Sequence, residues 1–345
     1  MSKPWQDPHN VTKAWKPLVE SFAQRRPPAF WERIPPGRLT KPLAFNWSFG
    51  ALLSAFAACV NIPALKTEMM EDLPFLQTVF ESYFDPRYRA FRSTPLRWKG
   101  DIYFDDNAWN ALAALDIFLA TGQDLWRDYA ENIYRFIMDE GYDTNSGGVY
   151  WRMHPKSSLH VCSAGPTALL GAKLIQLGGQ SVDKERVQKM IGWCWQMRND
   201  QGVFQDHYNV ITRRIDPSVY TYNTGTPLHA VLVMTEILPQ ESYDKMAEDV
   251  LGCVPRLLQG RSLPPTPWFN AVLLRALKKA SERYSIEIVA QVLDSYRRDM
   301  GESWKRFEAA NQPLVLPSSE RKSGILLRDA AASVETLAWL HQLES

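Results

Sequence analysis

What constrains the fold of this chain most is an alternation of two helix textures. Apolar positions recur at helical spacing through most of the 345 residues, and period-two alternation is nearly absent outside a short stretch from Gly147 to Arg152. One class of segment is small and apolar with few charges: Phe45 to Val60, Asp105 to Ala120, Ser163 to Leu177, Gly225 to Leu238, Trp268 to Leu277 and Gly324 to Leu343. The other is striped and well charged: Val11 to Arg25, Ala64 to Phe84, Asp124 to Glu140, Asp183 to Asn199, Glu241 to Leu258 and Glu282 to Phe307. The two classes strictly take turns. A helix apolar nearly all round must be buried, whereas a striped helix lies at the surface. The alternation therefore predicts an all-α protein of six helical hairpins, an inner ring wrapped by an outer ring: an (α/α)6 barrel. A solenoid of stacked helix pairs would show a polar face on both helices of each pair and a repeat consensus, and neither is seen.

No low-complexity linker divides the chain. The Pro-rich stretches Arg26 to Pro42, Leu263 to Pro267 and Pro313 to Pro317 are short connectors between hairpins. One domain is expected over residues 11–345, with residues 1–10 a loosely held tail. Lys+Arg 39 against Asp+Glu 38 leaves a net charge of +1, which provides no long-range attraction for nucleic acid. No apolar run reaches the ~20 residues of a spanning helix. The N-terminus lacks the apolar core of a signal peptide, so the expected location is cytoplasmic, or secreted if a leader was removed. Cys59, Cys162, Cys194 and Cys253 are far apart and read as reduced core residues. The composition stands out in its aromatics, including 13 Trp, which suit a core or a sugar-stacking surface.

A ring of inner helices leaves a cavity at one end, lined by the junctions that lead into those helices. The first junction carries Tyr103, Phe104, Asp105, Asp106 and Trp109. Acidic residues at a helix start are ordinarily caps. Here aromatics crowd the pair, and two close carboxyl groups in a desolvated cleft have their pKa values pushed apart into an acid and a base. The second junction, Asn145 to Arg152, pairs two glycines with Trp151, a turn with a packed Trp or a loop presenting it to a sugar. At the third and fourth, Ser163-Ala164-Gly165-Pro166 and Thr221 to Pro227, Ser and Asn read as N-terminal caps. Asp206 is expected in a loop after an outer helix. The six histidines show no metal-ligand spacing, and no serine-hydrolase elbow or P-loop is present. No metal or cofactor is expected, and the carboxylate pair remains.

These motifs resemble glycoside hydrolase family 76, the α-1,6-mannanase family of (α/α)6 barrels related to fungal cell-wall proteins. The likeness rests on Tyr103-Phe104-Asp105-Asp106-Asn107-Ala108-Trp109, Gly147-Gly148-Val149-Tyr150-Trp151, the Gly202 to Asp206 turn and Thr221-Tyr222-Asn223-Thr224-Gly225, in the family's order. It implies a retaining glycosidase acting on an α-mannoside oligosaccharide or polysaccharide, with Asp105 as nucleophile and Asp106 as general acid/base. Retaining enzymes need carboxyl groups ~5 to 5.5 Å apart, which neighbours at a helix start can reach. Capping N–H groups and the helix dipole are expected to depress the pKa of Asp105. Tyr103, Trp109, Trp151, Asp206, Tyr222 and Asn223 match positions expected around the sugar, with Trp151 stacking and Asp206 accepting from a hydroxyl. The chain departs from the family's Lys-Asn and Ser/Thr-Asn-Gly elements at Leu159, His160 and Ala164. Two other readings stay open: a sugar isomerase of the N-acylglucosamine 2-epimerase type, for which His160, His207 and His229 are loosely placed, and a non-catalytic glycan-binding barrel.

Overall fold

The two textures sort as their burial demands. The computed structural model describes all residues except 1–2, 36–41, 96–97, 180–181, 240, 261, 311 and 318–323, so part of the Arg26 to Pro42 connector lies outside the described residues. In chain order the helices are α1 (His9–Phe22), α2 (Asn46–Val60), α3 (Lys66–Met69), α4 (Leu73–Glu81), α5 (Phe104–Thr121), α6 (Asp124–Glu140), α7 (Val161–Gln176), α8 (Lys184–Gln196), α9 (Thr221–Ile237), α10 (Glu241–Cys253), α11 (Pro267–Ser281), α12 (Ala290–Ala309) and α13 (Leu327–Glu344). The apolar class forms the inner ring: α2, α5, α7, α9, α11 and α13 each pack on the next, and α13 returns to α2. This is an (α/α)6 barrel.

Every residue of α2 except Trp47 is buried, as is each residue of α9 from Thr221 to Thr235. On the outer ring α6 buries Trp126, Ala130, Ile133, Tyr134 and Ile137 and exposes Asp124, Asp128, Arg135 and Asp139. That one stripe suffices to hold it, since each large apolar side chain contributes about 1.5–3 kcal/mol on full burial. Inner helices approach closely: a Cβ on Gly225 of α9 would stand 2.9 Å from the Leu273 Cα of α11, so only glycine fits. The outer segment expected as one helix from Ala64 to Phe84 is broken into a 3-10 turn, α3 and α4. Pro74 sits in the first turn of α4, where its missing N–H costs nothing.

Two expectations need correction. The first ten residues are not loose from Pro4 onward. Trp5 is buried, its indole N–H donates to Glu344 Oε2 at 2.7 Å, and α1 begins at His9. Burial of one large aromatic face against α13 pins the tail. The region around Asp206 is a strand, not a loop.

Short ladders tie the connectors: β1 (Ala23–Gln24) with β2 (Ala29–Phe30), β3 (Arg33–Ile34) with β9 (Ile325–Leu326), and β4 (Phe84–Asp85) with β5 (Ala90–Phe91). A larger antiparallel sheet joins β6 (Ser158–His160), β7 (Gln205–Asn209) and β8 (Arg214–Val219) in the order β6-β7-β8. No residue of β7 or β8 is fully buried. A sheet wet on both faces lacks the apolar/polar alternation by which a strand is recognised.

Candidate active site

The N-terminal turns of the inner helices converge on one end of the barrel. At α5 the cap residue Tyr103 is extended (φ −107°, ψ 134°), which sets the first helical residue at Phe104 and both aspartates in the first turn. The helix start is clamped from two sides. The Phe104 N–H donates to the Trp151 carbonyl at 2.8 Å, and Tyr103 bridges Arg152. The buried Asn107 amide donates to the Phe91 and Tyr103 carbonyls and accepts from the Phe91 N–H at 2.7 Å. Asn107 thus ties β5 to the turn that carries Asp105 and Asp106.

Asp105 receives three neutral donors. Its Oδ1 accepts from the Asp106 N–H at 3.0 Å, and its Oδ2 accepts from the Trp151 indole N–H at 3.0 Å and the Cys162 thiol at 3.5 Å. The Tyr222 hydroxyl lies near the Cys162 sulfur. These bonds favour the anion, yet desolvation outweighs them and pushes the carboxyl up to about 6. The expected depression by caps and dipole is therefore overturned, because no cation comes with the burial. Asp106 is 8% exposed, and burial together with the Asp105 charge raises it well above the ordinary carboxyl range. Burial thus raises both adjacent carboxyl groups, Asp106 further than Asp105, the arrangement that an acid beside a base requires.

Around the pair, Trp151 is 36% exposed and stacks on His160 with ring centroids 5.3 Å apart; Tyr103 tilts against it at 4.9 Å. Asp206 projects from β7. Its Oδ1 accepts from Asn223 Nδ2 at 3.1 Å, and its Oδ2 lies 2.9 Å from His207 Nδ1. Tyr222 stacks on Phe269 at 4.0 Å. Trp109 is buried against Trp268, which meets Trp47 edge-on at 5.1 Å. Tyr103, Trp151, Asp206, Tyr222 and Asn223 are thus joined by contact to the carboxylate pair or to its neighbours, whereas Trp109 belongs to the aromatic wall formed with α2 and α11.

The capping readings at the other junctions fail. The cap residue of α7 is His160 and that of α9 is Tyr220, so Ser163 and Asn223 lie inside their helices rather than ahead of them. Ser163 Oγ and Asn223 Oδ1 are buried with no hydrogen-bond partner among the described residues. A cavity of about 930 Å³ lies elsewhere, against Ser21, Phe307 and Leu326 on the outer wall.

The sequence profile of Glycosyl hydrolase family 76 matches residues 22–260. The chain belongs to glycoside hydrolase family 76. Family 76 is a family of glycosyl hydrolases. Among solved structures, the family 76 mannosidase Bt3792 from Bacteroides thetaiotaomicron VPI-5482 superposes with a TM-score of 0.82 over 99% of both chains at 21% identity. The α-1,6-mannanase of Salegentibacter sp. HEL1_6 is known as an inactive variant with two consecutive aspartates replaced by asparagine, in complex with α-1,6-mannotriose. It gives a TM-score of 0.79 at 14% identity over 98% of this chain and 99% of its own. Among curated proteins, the Meiotically up-regulated gene 191 protein of Schizosaccharomyces pombe is 25% identical over 152 residues, 39% of this chain and 34% of the relative. This chain therefore matches about a third of that relative's length.

Several residues of this family 76 site were not singled out as site residues by sequence. Cys162 read as core, and all four cysteines are indeed free and buried, but its thiol also reaches Asp105. Trp47, Trp268 and Phe269 start inner helices, the same positional signal that marked Asp105. His160 and His207 are brought together only by strand pairing. Among the described residues, no single helix is long and apolar enough to cross a membrane.

Proposed function

We propose that this family 76 glycosidase acts on α-mannosides, hydrolysing α-1,6 bonds with retention of configuration. The observation that carries the reading is the pair Asp105 and Asp106 in one desolvated helix turn, with Asp105 held by neutral donors and burial raising both carboxyl groups. The Salegentibacter enzyme, whose variant lacking two consecutive aspartates is inactive, supports placing the chemistry on such a pair.

Asp105 is the nucleophile. Ionised, and aligned by Trp151 and Cys162, its carboxylate attacks the anomeric carbon while Asp106 gives its proton to the departing glycosidic oxygen, leaving a glycosyl ester on Asp105. Asp106, now a carboxylate, takes a proton from water as that water attacks the same carbon. The ester C–O bond breaks, Asp105 returns as carboxylate and Asp106 is again protonated. Burial maintains the acid: with Asp105 ionised, its charge keeps the proton on Asp106. Trp151 and the Tyr222–Phe269 stack form the apolar walls suited to sugar faces, and Asp206 and Asn223 are the hydroxyl partners. The near-zero net charge suits an uncharged glycan.

The test is incubation of the protein with α-1,6-mannotriose, with the anomer released first read by NMR. Initial release of the α-anomer supports the proposal. Release of the β-anomer overturns the retaining mechanism, and the absence of cleavage overturns the substrate.

A further inference from the structure

Beside the carboxylate pair lies a second cluster that the glycosidase chemistry does not use as such. His160 of β6 and His207 of β7 are direct partners across an antiparallel pair, so both side chains leave the same face of the sheet. Asp206, next to His207, belongs on the opposite face by the period of two. The register of β7 against β8 shifts between Gln205 and His207, however, and this irregularity turns Asp206 toward the two imidazoles. Asp206 Oδ2 lies 2.9 Å from His207 Nδ1 and 3.7 Å from His160 Nδ1, and one ligand atom from each of the three residues lies within 4.8 Å of the others.

We propose that His160, Asp206 and His207 form a site for a divalent transition-metal ion, Zn²⁺ by ligand chemistry, in the wall of the sugar cleft. Two imidazoles and one carboxylate match the nitrogen-rich preference of Zn²⁺, whereas Ca²⁺ and Mg²⁺ call for shells of oxygen. Zn–N and Zn–O bonds of about 2.0–2.2 Å put donors about 3.3 Å apart in a tetrahedron, and the 2.9 and 3.7 Å separations bracket that spacing. The supporting contacts are of the kind that orient metal ligands. His160 Nε2 is 2.9 Å from Ser158 Oγ, which leaves Nδ1 toward the cluster, and Asn223 holds the far oxygen of Asp206. The two rings stack 9° from parallel with centroids 4.4 Å apart, so coordination by both requires His207, the more exposed ring, to turn toward the ion.

Three protein ligands leave open positions. The ion would engage Asp206 Oδ2 and fix the His160 ring on which Trp151 stacks, withdrawing both from the sugar. Occupancy therefore inhibits the enzyme, a consequence that rests on the proposed mannosidase activity. The site itself is tested without substrate, by calorimetric titration of the metal-free full-length protein with Zn²⁺ alone. One equivalent is expected to bind, with affinity falling about tenfold or more in both His160→Ala and His207→Ala. Tetrahedral Co²⁺ absorption in the visible should appear in the wild type and be lost in both. His207→Gln, at the more exposed position, is the substitution least prone to disturb folding and must show the same loss. No saturable binding, or binding unchanged in these variants, overturns the site. Zn²⁺ binding without loss of mannotriose turnover overturns the inhibition. A metal-free protein that fails to cleave mannotriose counts against the mannosidase reading, and the calorimetric result stands apart from it.

Discussion

Asp105 and Asp116 lie on one helix and on one face of it, since eleven residues make close to three turns; at 1.5 Å per residue they are about 16 Å apart. Both sit in a desolvated setting, yet they ionise in opposite directions. Asp116 is met by Lys173 of α7 and Arg275 of α11, and the two cations hold it below the ordinary carboxyl range although burial opposes them. Asp105 is met by an indole, a thiol and a peptide N–H, all neutral, and burial carries it up to about 6. Burial alone raises a carboxyl group, so the deciding variable is whether neighbouring inner helices supply cations. They do so toward their C-terminal ends, where Lys173 also meets a favourable helix dipole. Around the N-terminal turn of α5 they supply neutral donors and aromatic rings. One end of the barrel is therefore built to keep charge settled, and the other to let a proton move.

Exchanging each carboxyl for an amide is the strongest way to break this contrast. Asp105→Asn and Asp106→Asn are each expected to lower kcat on an α-1,6-mannooligosaccharide by about 10³-fold or more. Neither should lose stability at pH 8. A carboxyl whose folded pKa is raised contributes stability that is full below its unfolded pKa and lost as pH rises through the folded value, so near pH 8 the wild-type carboxylates are a burden the amides lack. Asp116→Asn should do the reverse. It leaves Lys173 and Arg275 buried without their counter-charge and costs about 3–5 kcal/mol at pH 7, with no direct part in the chemistry. The Asp116 contribution is present above the unfolded carboxyl pKa and lost as pH falls through the lowered folded value, so variant and wild type should converge only in acid. Thermal unfolding across pH checks both halves. A stable Asp116→Asn, or a destabilised Asp105→Asn at pH 8, would show that cation supply does not distinguish the two ends.

Much of this architecture was legible in the sequence because burial on all sides leaves no room for charge. A segment such as Ser48 to Val60 has no position at which a charge would meet water, and the observed α2 runs from Asn46 to Val60. The Asp105-Asp106 pair was legible from its place ahead of an inner helix. Its electrostatics were not, because a cap and a dipole can be inferred locally while desolvation depends on five other helices. The Pro166 and Pro227 signals drew the expected starts of α7 and α9 too far along the chain. Both prolines sit within helices that begin at Val161 and Thr221. Strands β7 and β8 escaped because neither face is dry, and with them went the His160–His207 pairing. The role of Trp151 as a donor to Asp105 required the bond from Phe104 N–H to the Trp151 carbonyl, a contact between segments that no spacing in the chain announces.

That indole offers a smaller test of the open end. Trp151→Phe retains an aromatic surface but removes a donor that favours the Asp105 anion, so the Asp105 pKa should rise further above about 6. Since the nucleophile must be ionised, the acidic limb of kcat/KM should move to higher pH. Activity should fall about tenfold near pH 6 and largely recover toward pH 8. A uniform loss across pH, or a change in KM alone, would assign Trp151 to stacking only. Cys162→Ala should move the limb in the same direction by less, since the thiol is a weak donor at 3.5 Å.

The smallest expected effect sharpens the contrast within the closed end. Glu335 of α13 is fully buried near Asp116 and accepts from Ser54 Oγ at 2.9 Å and Trp339 Nε1 at 3.1 Å through one oxygen. Its other oxygen has no hydrogen-bond partner among the described residues. Arg275 lowers its pKa by charge, but desolvation wins and the group is raised. Glu335 is thus a carboxyl of the open-end kind in the closed end, with neutral donors in direct contact and the cations taken by Asp116. By the same sign argument its stability contribution fades as pH rises through the folded pKa, and Glu335→Gln, which retains an acceptor for Ser54 and Trp339, should change unfolding stability by only about 1 kcal/mol at pH 7. The variant should gain on the wild type as pH rises above the unfolded carboxyl value, whereas the cost of Asp116→Asn stays constant there and shrinks only in acid. Urea unfolding from pH 3 to pH 8 measures both. A cost for Glu335→Gln as large as that for Asp116→Asn would mean that position in the barrel, rather than direct contact with a cation, governs how a buried carboxyl behaves here.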